Sequence, residues 1–423
     1  MDFTPPRGTQ DLLPPRSESL RALAERGERE ARLFGYRSVD TPAFEHTELF
    51  ARTSGESSDV VRKEMYTFKD KGNRLLTLRP EATAGIVRAY LANAHDLSSP
   101  FKAYLTGPMW RYGRPQAGRL REFRQFDIEV IGEGAPGADV EVIVVGERYL
   151  RGLGLRGLEL QLNSIGDEVC RPAYRQELLA YLEANRERLR DEHRDHFRQN
   201  PLRVLDCKDE ACREVSKDAP KISDRLCEPC ATHFREVREG LDREGVAFVH
   251  VLTLVRGLDY YTRTAFEWAS ASLPEGQATV GGGGRYDGLA EVLGGPPTPG
   301  VGFAIGLERV LLSMEKEGLP VPSGGQLDCF VVSVSDETAG QAARVARMLR
   351  DAGVSASASL DRRPLKAQLR MADRSGARFA VIVGEREAAA GTVTLRRLAD
   401  GHQEELAVED AVKWVATQAE APS

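Results

Sequence analysis

GPMWRYGRPQAGRLREFRQFDIEVIG, residues 107–132, is the stretch on which the fold turns. Pro108 to Tyr112 and Arg121 to Ile131 read as two strands, joined by a loop that carries Gly113, Pro115 and Gly118. Strand side chains alternate, so Phe123, Gln125, Asp127 and Glu129 fall on one face and Phe126, Ile128 and Val130 on the other. A half-solvated antiparallel sheet explains such alternation, and so does a polar face built into a site. The arginines favour the site. Arg111, Arg114, Arg119, Arg121 and Arg124 against Glu122 give residues 111–124 a charge of about +4, in a chain whose formal net charge is −6.

On either side lie four segments that are weak one at a time. TLRPEATAGIVRAY (77–90) sets Arg79, Glu81, Ala82 and Thr83 ahead of a helical pattern, where Glu81 could simply be a carboxylate favoured at a helix start. LVRGLDYYTRTAFEW (254–268) groups Arg256, Tyr260 and Tyr261 before a strand-like tail, which also fits aromatic packing in a core. GGGGRYDGL (281–289) lets backbone approach a ligand closely, or flexes as a loop. GVGFAIGLERVL (300–311) is a glycine-spaced apolar strand running into a helix that begins with Glu308 and Arg309.

The whole chain sets bounds on these readings. Its 423 residues suit two or three domains. The acidic balance, with a pI near 5.8, excludes a protein that binds polyanions over its whole surface. No apolar run reaches membrane-spanning length, and MDFTPPRGTQDLLPPR has no secretory or transit pattern, so a cytoplasmic location is expected. Neither the phosphate loop G-x-x-x-x-G-K-[ST] nor a G-x-G-x-x-G strand-to-helix turn is present, so any nucleotide site is of another kind.

VPSGGQ (321–326) marks a linker. Ahead of it, at 1–320, strands adjacent in sequence indicate an α+β domain with an antiparallel sheet, interrupted by a charged helical insertion at about 171–245. ELLAYLEANRERLRDEHRDHF, within that insertion, reads as one exposed helix. After the linker, 327–423 alternates strands and helices as a small α/β domain. Its SLDRRPLKAQLRMADRSG carries Lys366, Arg370 and Arg374 at helical spacing, a solvated face or a phosphate-binding one. Cys207, Cys212, Cys227 and Cys230, spaced C-x4-C-x14-C-x2-C, fit either one tetrahedral structural zinc or four reduced thiols. His193 and His196 read as an exposed helix face.

Taken in order, these segments resemble the class II aminoacyl-tRNA synthetases, and within them the histidyl-tRNA synthetase family. RGTQDLLPP and YRSVDTPAFEHTELF are similar to the family's opening and motif 1, 107–132 to motif 2, and GVGFAIGLERVL to motif 3. LVRGLDYYTRTAFEW with GGGGRYDGL resembles the histidine-specific signatures. The resemblance implies a homodimer that activates L-histidine with ATP and Mg²⁺, then charges tRNA(His), with 327–423 binding the anticodon. It implies that Arg111, Arg121, Phe123 and Arg309 hold ATP, and that Arg256 and Arg111 act at the reacting phosphate and carboxylate. Glu81, Ala82, Thr83, Gln125, Glu129, Tyr260, Tyr261 and Tyr286, together with those two arginines, would surround the histidine. Arg114, Gln116, Lys366 and Arg370 would meet the tRNA. A metal is not demanded by the resemblance. A synthetase-like regulatory subunit of ATP phosphoribosyltransferase, which senses histidine without charging tRNA, is the alternative. Such subunits usually lack the distal domain, which this chain keeps.

The chemistry agrees with those residue types. A carboxylate attacking the α-phosphorus of ATP brings two anions together, so the site needs fixed cations and no strong base. The planar guanidinium fork binds both kinds of oxygen.

Overall fold

The computed structural model describes the chain apart from residues 1–2, 56–59, 117, 206, 208, 256, 275–276, 323–326, 360–362 and 421–423. Arg256 and most of the expected linker therefore lie outside the described residues. The chain forms two compact units, Met1–Pro322 and Ser323–Ser423.

In the first unit the strands, in chain order, are β1 (Arg37–Ser38), β2 (Phe44–His46), β3 (Tyr66–Lys69), β4 (Leu75–Leu78), β5 (Phe101–Trp110), β6 (Glu122–Ile131), β7 (Leu158–Ser164), β8 (Val249–His250), β9 (Thr262–Ser270), β10 (Thr279–Arg285) and β11 (Gly300–Gly306). Among the described residues, eight of them form one sheet in the order β1, β5, β6, β11, β10, β9, β7, β8. The six central strands pair antiparallel, and β1 and β8 add in parallel at the edges. Strands β2, β4 and β3 make a separate three-stranded sheet.

Both faces of the large sheet are covered. Phe126, Ile128 and Val130 of β6 join a core with Leu20 and Leu23 of the helix Arg16–Leu33 and Val142, Ile143 and Tyr149 of the helix Pro136–Gly152. On the opposite face a second core gathers Ala103 and Leu105 of β5 with Ile86 and Val87 of the helix Thr83–Asn93. The half-solvated sheet is thus excluded: Gln125, Asp127 and Glu129 are buried polar residues, with Asp127 and Glu129 each only 1% exposed. Burial without partners is costly for such groups, which directs attention to that face.

The register explains how they fit. Gln125, Asp127 and Glu129 stand opposite Gly306, Ala304 and Gly302 of β11. Next along, Gly281–Gly284 form the middle of β10 between β9 and β11, so the four-glycine run is a central strand and not a loop. A Cβ at Gly283 would collide with the Gly302 carbonyl, which is why side chains are missing there. Arg285, which ends this strand, is fully buried and its Nε donates to both Asp139 oxygens at 3.2 and 3.1 Å.

The insertion differs from its sequence reading. The helix Arg171–Ala184 stops, a single turn follows at Arg186–Arg188, and a new helix runs Asp191–His196. The break lets Leu178, Leu182, Leu189 and Phe197 all enter the second core, which one straight exposed helix could not do. Further helices follow at Glu210–Lys217 and Glu228–Arg243.

The second unit contains β12 (Cys329–Ser333), β13 (Ala356–Ala358), β14 (Phe379–Val383), β15 (Thr392–Arg397) and β16 (Gln403–Ala407), in the order β13, β12, β14, β15, β16. Helices at Ala339–Asp351, Leu365–Arg374 and Val408–Glu420 pack against it. Strand β16 and a short helix, Glu385–Ala390, have no counterpart in the sequence reading.

Candidate active site

A cleft of about 240 Å³ opens over the glycine-lined part of the large sheet. Its floor is Gly281, Gly282, Ala304 and Gly306; Phe123, Gln125 and Asp127 of β6 form one side. Glu81 and Thr83 enter from the start of the helix Thr83–Asn93, and Tyr260 and Tyr261 from the turn before β9.

One end is cationic. Arg111, Arg119 and Arg309 line it together. Arg111 Nε donates to the Pro80 carbonyl at 2.7 Å, and its guanidinium lies over the Phe123 ring, 5.4 Å from the centroid. Arg309 is fixed by bonds from Nε to the Gly118 carbonyl (3.1 Å) and from Nη1 to the Thr279 carbonyl (2.5 Å). Burial, then the charges of Arg119 and Arg111, pull the Arg309 pKa down. Crowded, partly desolvated guanidinium groups lower their energy by taking an anion. Glu308, beside Arg309, instead accepts the Arg124 N–H at 3.0 and 2.9 Å and holds β6 to the helix Leu307–Glu317.

The other end is acidic and blind. Glu81 accepts the N–H groups of Thr83 (2.7 Å) and Ala84 (3.1 Å), so it is a helix-start carboxylate and a cleft residue at once. Thr83 Oγ1 donates to Glu129 Oε1 at 2.5 Å, and the Tyr286 hydroxyl donates to Glu129 Oε2. Tyr260 packs between Tyr261 and Tyr286, at centroid distances of 4.6 and 5.9 Å. Burial lifts the Glu129 carboxyl to about 8, against the hydrogen bonds from Thr83 and Tyr286, and the charge of Glu81 adds to the rise. Asp127 is pushed well up by burial and by the charges of Glu129 and Glu81. Asp127 Oδ2 and Gln125 Oε1 have no hydrogen-bond partner. Acceptors held this way suit a ligand that brings N–H groups and positive charge.

Of the residues expected at the site, the cleft brings together Glu81, Thr83, Arg111, Phe123, Gln125, Tyr260, Tyr261 and Arg309. Glu129 and Tyr286 lie directly beneath, joined through Thr83. Ala82 is buried behind the cleft wall, in the second core. Arg121 does not line the cleft: it bonds the Gly113 and Arg7 carbonyls and stacks 3.8 Å from the Tyr112 ring, bracing the hairpin base. Arg114 and Gln116 are exposed on the hairpin loop, and in the second unit Lys366 and Arg370 are exposed on one face of the helix Leu365–Arg374. Arg119 and the unpartnered Asp127 are cleft residues to which the sequence reading gave no role; the arginine cluster pointed to the region without separating its members.

The four cysteines do not form the single tetrahedral set that was one of the two readings of their spacing. Cys207 and Cys212 gather with His193, whereas Cys227 and Cys230 gather with Asp167 and Cys170. The helix Glu210–Lys217 carries Cys212 into the interior of the insertion, while Cys227 and Cys230 open a different helix, Glu228–Arg243.

Among the described residues no helix is long and apolar enough to cross a membrane. The chain matches the family model for histidyl-tRNA synthetase over residues 8–310 and that for an anticodon-binding domain over 328–418. It is 47% identical over 410 residues to a histidine–tRNA ligase of Moorella thermoacetica, covering 97% of each chain. With one of Pelotomaculum thermopropionicum it shares 46% over 413 residues, again 97% of each. The crystal structure of apo Staphylococcus aureus histidyl-tRNA synthetase superposes with a TM-score of 0.81 at 34% identity, over 98% of this chain and all of that one. With its antiparallel sheet, its cleft and its distal domain, the chain belongs to the histidyl-tRNA synthetase family.

Proposed function

We propose that the chain is a histidine–tRNA ligase, forming histidyl-adenylate and pyrophosphate from L-histidine and ATP and passing histidine to the 3′ end of its tRNA. The observation that carries this reading is one cleft with guanidinium groups at one end and buried, partly unpartnered acceptors at the other. Two substrates, one polyanionic and one with a positive head and a polar ring, fit that division. Full-length relatives with the same name support it over the regulatory-subunit alternative.

In this reading Phe123 stacks on the adenine, while Arg111 and Arg309 hold phosphate oxygens. Arg119, paired with Glu64, lines the same end of the cleft. Magnesium would enter as part of the ATP substrate and would offset phosphate charge beside these arginines. Glu81, Thr83 and Gln125 receive the histidine α-ammonium, and Glu129, set by Tyr286, accepts from the imidazole with Tyr261 as the ring wall. The family resemblance gives Arg256 the task of meeting the substrate carboxylate and the α-phosphate. The carboxylate oxygen attacks the α-phosphorus, the bond to the bridging oxygen breaks, and pyrophosphate leaves. Arginines fixed before the reaction stabilise the growing charge without reorganisation. A site built to pair a ring N–H rejects analogues without one strongly, because its own buried acceptor is then left unpaired. Arg114 and Gln116 meet the acceptor end of the tRNA, and Lys366 and Arg370 meet the anticodon stem.

The proposal includes a homodimer. Phe44 and Phe68 on the three-stranded sheet pack edge to face at 6.1 Å yet stay 50% and 42% exposed, an apolar surface that a second copy would cover. Histidine-dependent ATP–pyrophosphate exchange tests the activity. No exchange by the intact chain refutes it, and faster exchange with another amino acid refutes the specificity.

A further inference from the structure

Asp167, Cys170, Cys227 and Cys230 come from two short segments, D-x-x-C just ahead of the insertion and C-x-x-C within it, and their ligand atoms all lie within 4.8 Å of one another. We propose that these four residues are the ligands of a single structural zinc ion. The set is separate from the synthetase cleft and differs from the four-cysteine grouping that the sequence spacing suggests.

The edges of the cluster have the right size. Cys170 Sγ is 3.4 Å and Cys227 Sγ 3.7 Å from Asp167 Oδ1. Zinc bonds of about 2.3 Å to sulfur and about 2.1 Å to oxygen give a tetrahedron with edges of about 3.6–3.8 Å. A thiol is a weak donor, and hydrogen bonding alone gives three thiols little reason to converge on one carboxylate.

The surroundings are arranged for thiolates. Cys170 immediately precedes the helix Arg171–Ala184; Cys227 precedes the helix Glu228–Arg243, and Cys230 lies in its first turn. The positive ends of two helices therefore meet at the sulfurs and favour negative charge there. The Asp167 N–H donates to Cys170 Sγ at 3.3 Å. That turn needs Gly166, whose φ is +64° and whose Cβ, if it had one, would lie 2.6 Å from Cys170 Sγ.

Asp167 is divided between two tasks. Oδ1 faces the thiols and also accepts the Val169 N–H at 3.0 Å, while Oδ2 accepts from Arg263 Nη2 at 3.4 Å. Arg263 is itself held in a left-handed conformation, φ 50°, by exchanging 2.7 Å backbone bonds with Gly166 and Ile165. One oxygen is thus turned to the metal position and the other anchored by a cation, the outer-layer support that metal-binding carboxylates characteristically have. Three thiolates and one carboxylate carry −4, zinc brings +2, and Arg263 with the two helix ends offsets most of the remainder. Sulfur-rich sets of this kind take zinc in preference to magnesium or calcium. Cys170 and Cys230 are buried, and four protein ligands leave no open position, so the ion's task is to tie both helix starts together just beyond the end of β7. The adjoining Arg171 guanidinium donates to the Tyr261 carbonyl at the cleft wall, so the clamp lies directly behind that wall.

The experiment uses the full chain, produced with zinc in the medium and purified reduced and without chelator. Elemental analysis should find about one zinc per chain. Cobalt(II) exchanged into the site should give the absorption of a tetrahedral ion with three thiolates. Cys170→Ser and Cys230→Ser should each lower retained zinc at least about tenfold, and Asp167→Asn should weaken retention. Cys207→Ser and Cys212→Ser should leave it unchanged. A chain that retains no zinc overturns the proposal. So does zinc lost with Cys207→Ser but kept with Cys170→Ser, or a missing pair of thiols in the metal-free chain that marks a Cys227–Cys230 disulfide. If the serine variants fail to fold, the cobalt spectrum of the intact chain still decides, and fewer than three thiolates refutes the assignment.

Discussion

Glu129 of β6 stands opposite Gly302 of β11, and a methyl group on Gly302 would fall directly on the Glu129 carboxylate. The glycine spacing of β11 is therefore a condition of the acidic pocket. Gly302→Ala should displace Glu129, raise the KM for histidine by about tenfold or more, and destabilise the chain by about 1–3 kcal/mol. Urea unfolding and exchange kinetics would register the two effects separately. An unchanged histidine KM would show that Glu129 is not a substrate contact.

Protonation of the same carboxyl gives a pH signature. Burial raises Glu129 from the usual 4.5 to about 8, so the empty cleft holds its proton at neutral pH. Binding an imidazole N–H requires the ionised form. Histidine affinity should therefore rise between about pH 6.5 and 8, by at most about tenfold per unit, and level off above. In Glu129→Gln that slope should vanish, as calorimetric titration would detect. The sign for stability is opposite. Between 4.5 and about 8 the folded chain binds more protons than the unfolded one, so this group's contribution falls as pH rises.

At the cationic end, Arg309→Ala and Arg111→Ala should each slow exchange by about 10²–10³. Arg111→Lys should rescue poorly, because an ammonium cannot supply two parallel donors. Direct histidine binding should survive Arg309→Ala nearly unchanged. Tight histidine binding with no exchange would separate the two ends of the cleft, whereas loss of both would indicate a folding defect.

Arg285 and Asp139 form a fully buried pair that joins β10 to the helix Pro136–Gly152. Burial alone would raise the Asp139 pKa, but the Arg285 charge and the hydrogen bonds from His233 and Arg285 outweigh it and hold the carboxyl below its usual range. Arg285→Ala should cost about 3–5 kcal/mol by leaving a buried charge unpaired. Because the folded pKa is depressed, the pair's contribution is present above the ordinary carboxyl pKa and is lost as pH falls through the lowered one. Denaturation of wild type and Asp139→Asn should converge only in strong acid.

Lys366→Ala with Arg370→Ala should weaken tRNA binding and lower its salt dependence by about one unit of log–log slope per lost phosphate contact. Filter binding across a salt series measures this, with histidine-dependent exchange, which uses no tRNA, as the internal reference.

Alternation and glycine spacing made the centre of the sheet legible: β6, β11 and the helix beginning at Leu307 follow directly from residues 107–132 and 300–311. What escaped were features set by partners distant in sequence. The four-glycine run reads locally as backbone open to a ligand or as a flexing loop, and only pairing with β9 and β11 makes it a strand. Arg285, to which the sequence reading gave no role, is claimed by Asp139 of the helix Pro136–Gly152. Strand β16, QEELA, is mostly exposed and carries no apolar period. The cysteine spacing suggested one cluster because sequence distance says nothing about which helix start a thiol shares; Cys170, well upstream of the other four, gathers with Cys227 and Cys230. In the cleft, the lining residues Glu81, Thr83, Gln125 and Tyr261 were legible from motif position, whereas Arg121 turns to Tyr112 and Arg119, paired with Glu64, lines the cleft instead.

The core beneath the cleft is shared between the sheet and the insertion, since Tyr174, Leu178, Leu182 and Ile222 pack in one cluster with Leu105, Tyr260 and Tyr286. Residues 171–245 are for that reason no detachable accessory. Trimming the protein to a minimal unit would strip oily surface bare behind the tyrosines of the cleft. An ancestor or a designer seeking a shorter version would have to rebuild that underside before any chemistry returned.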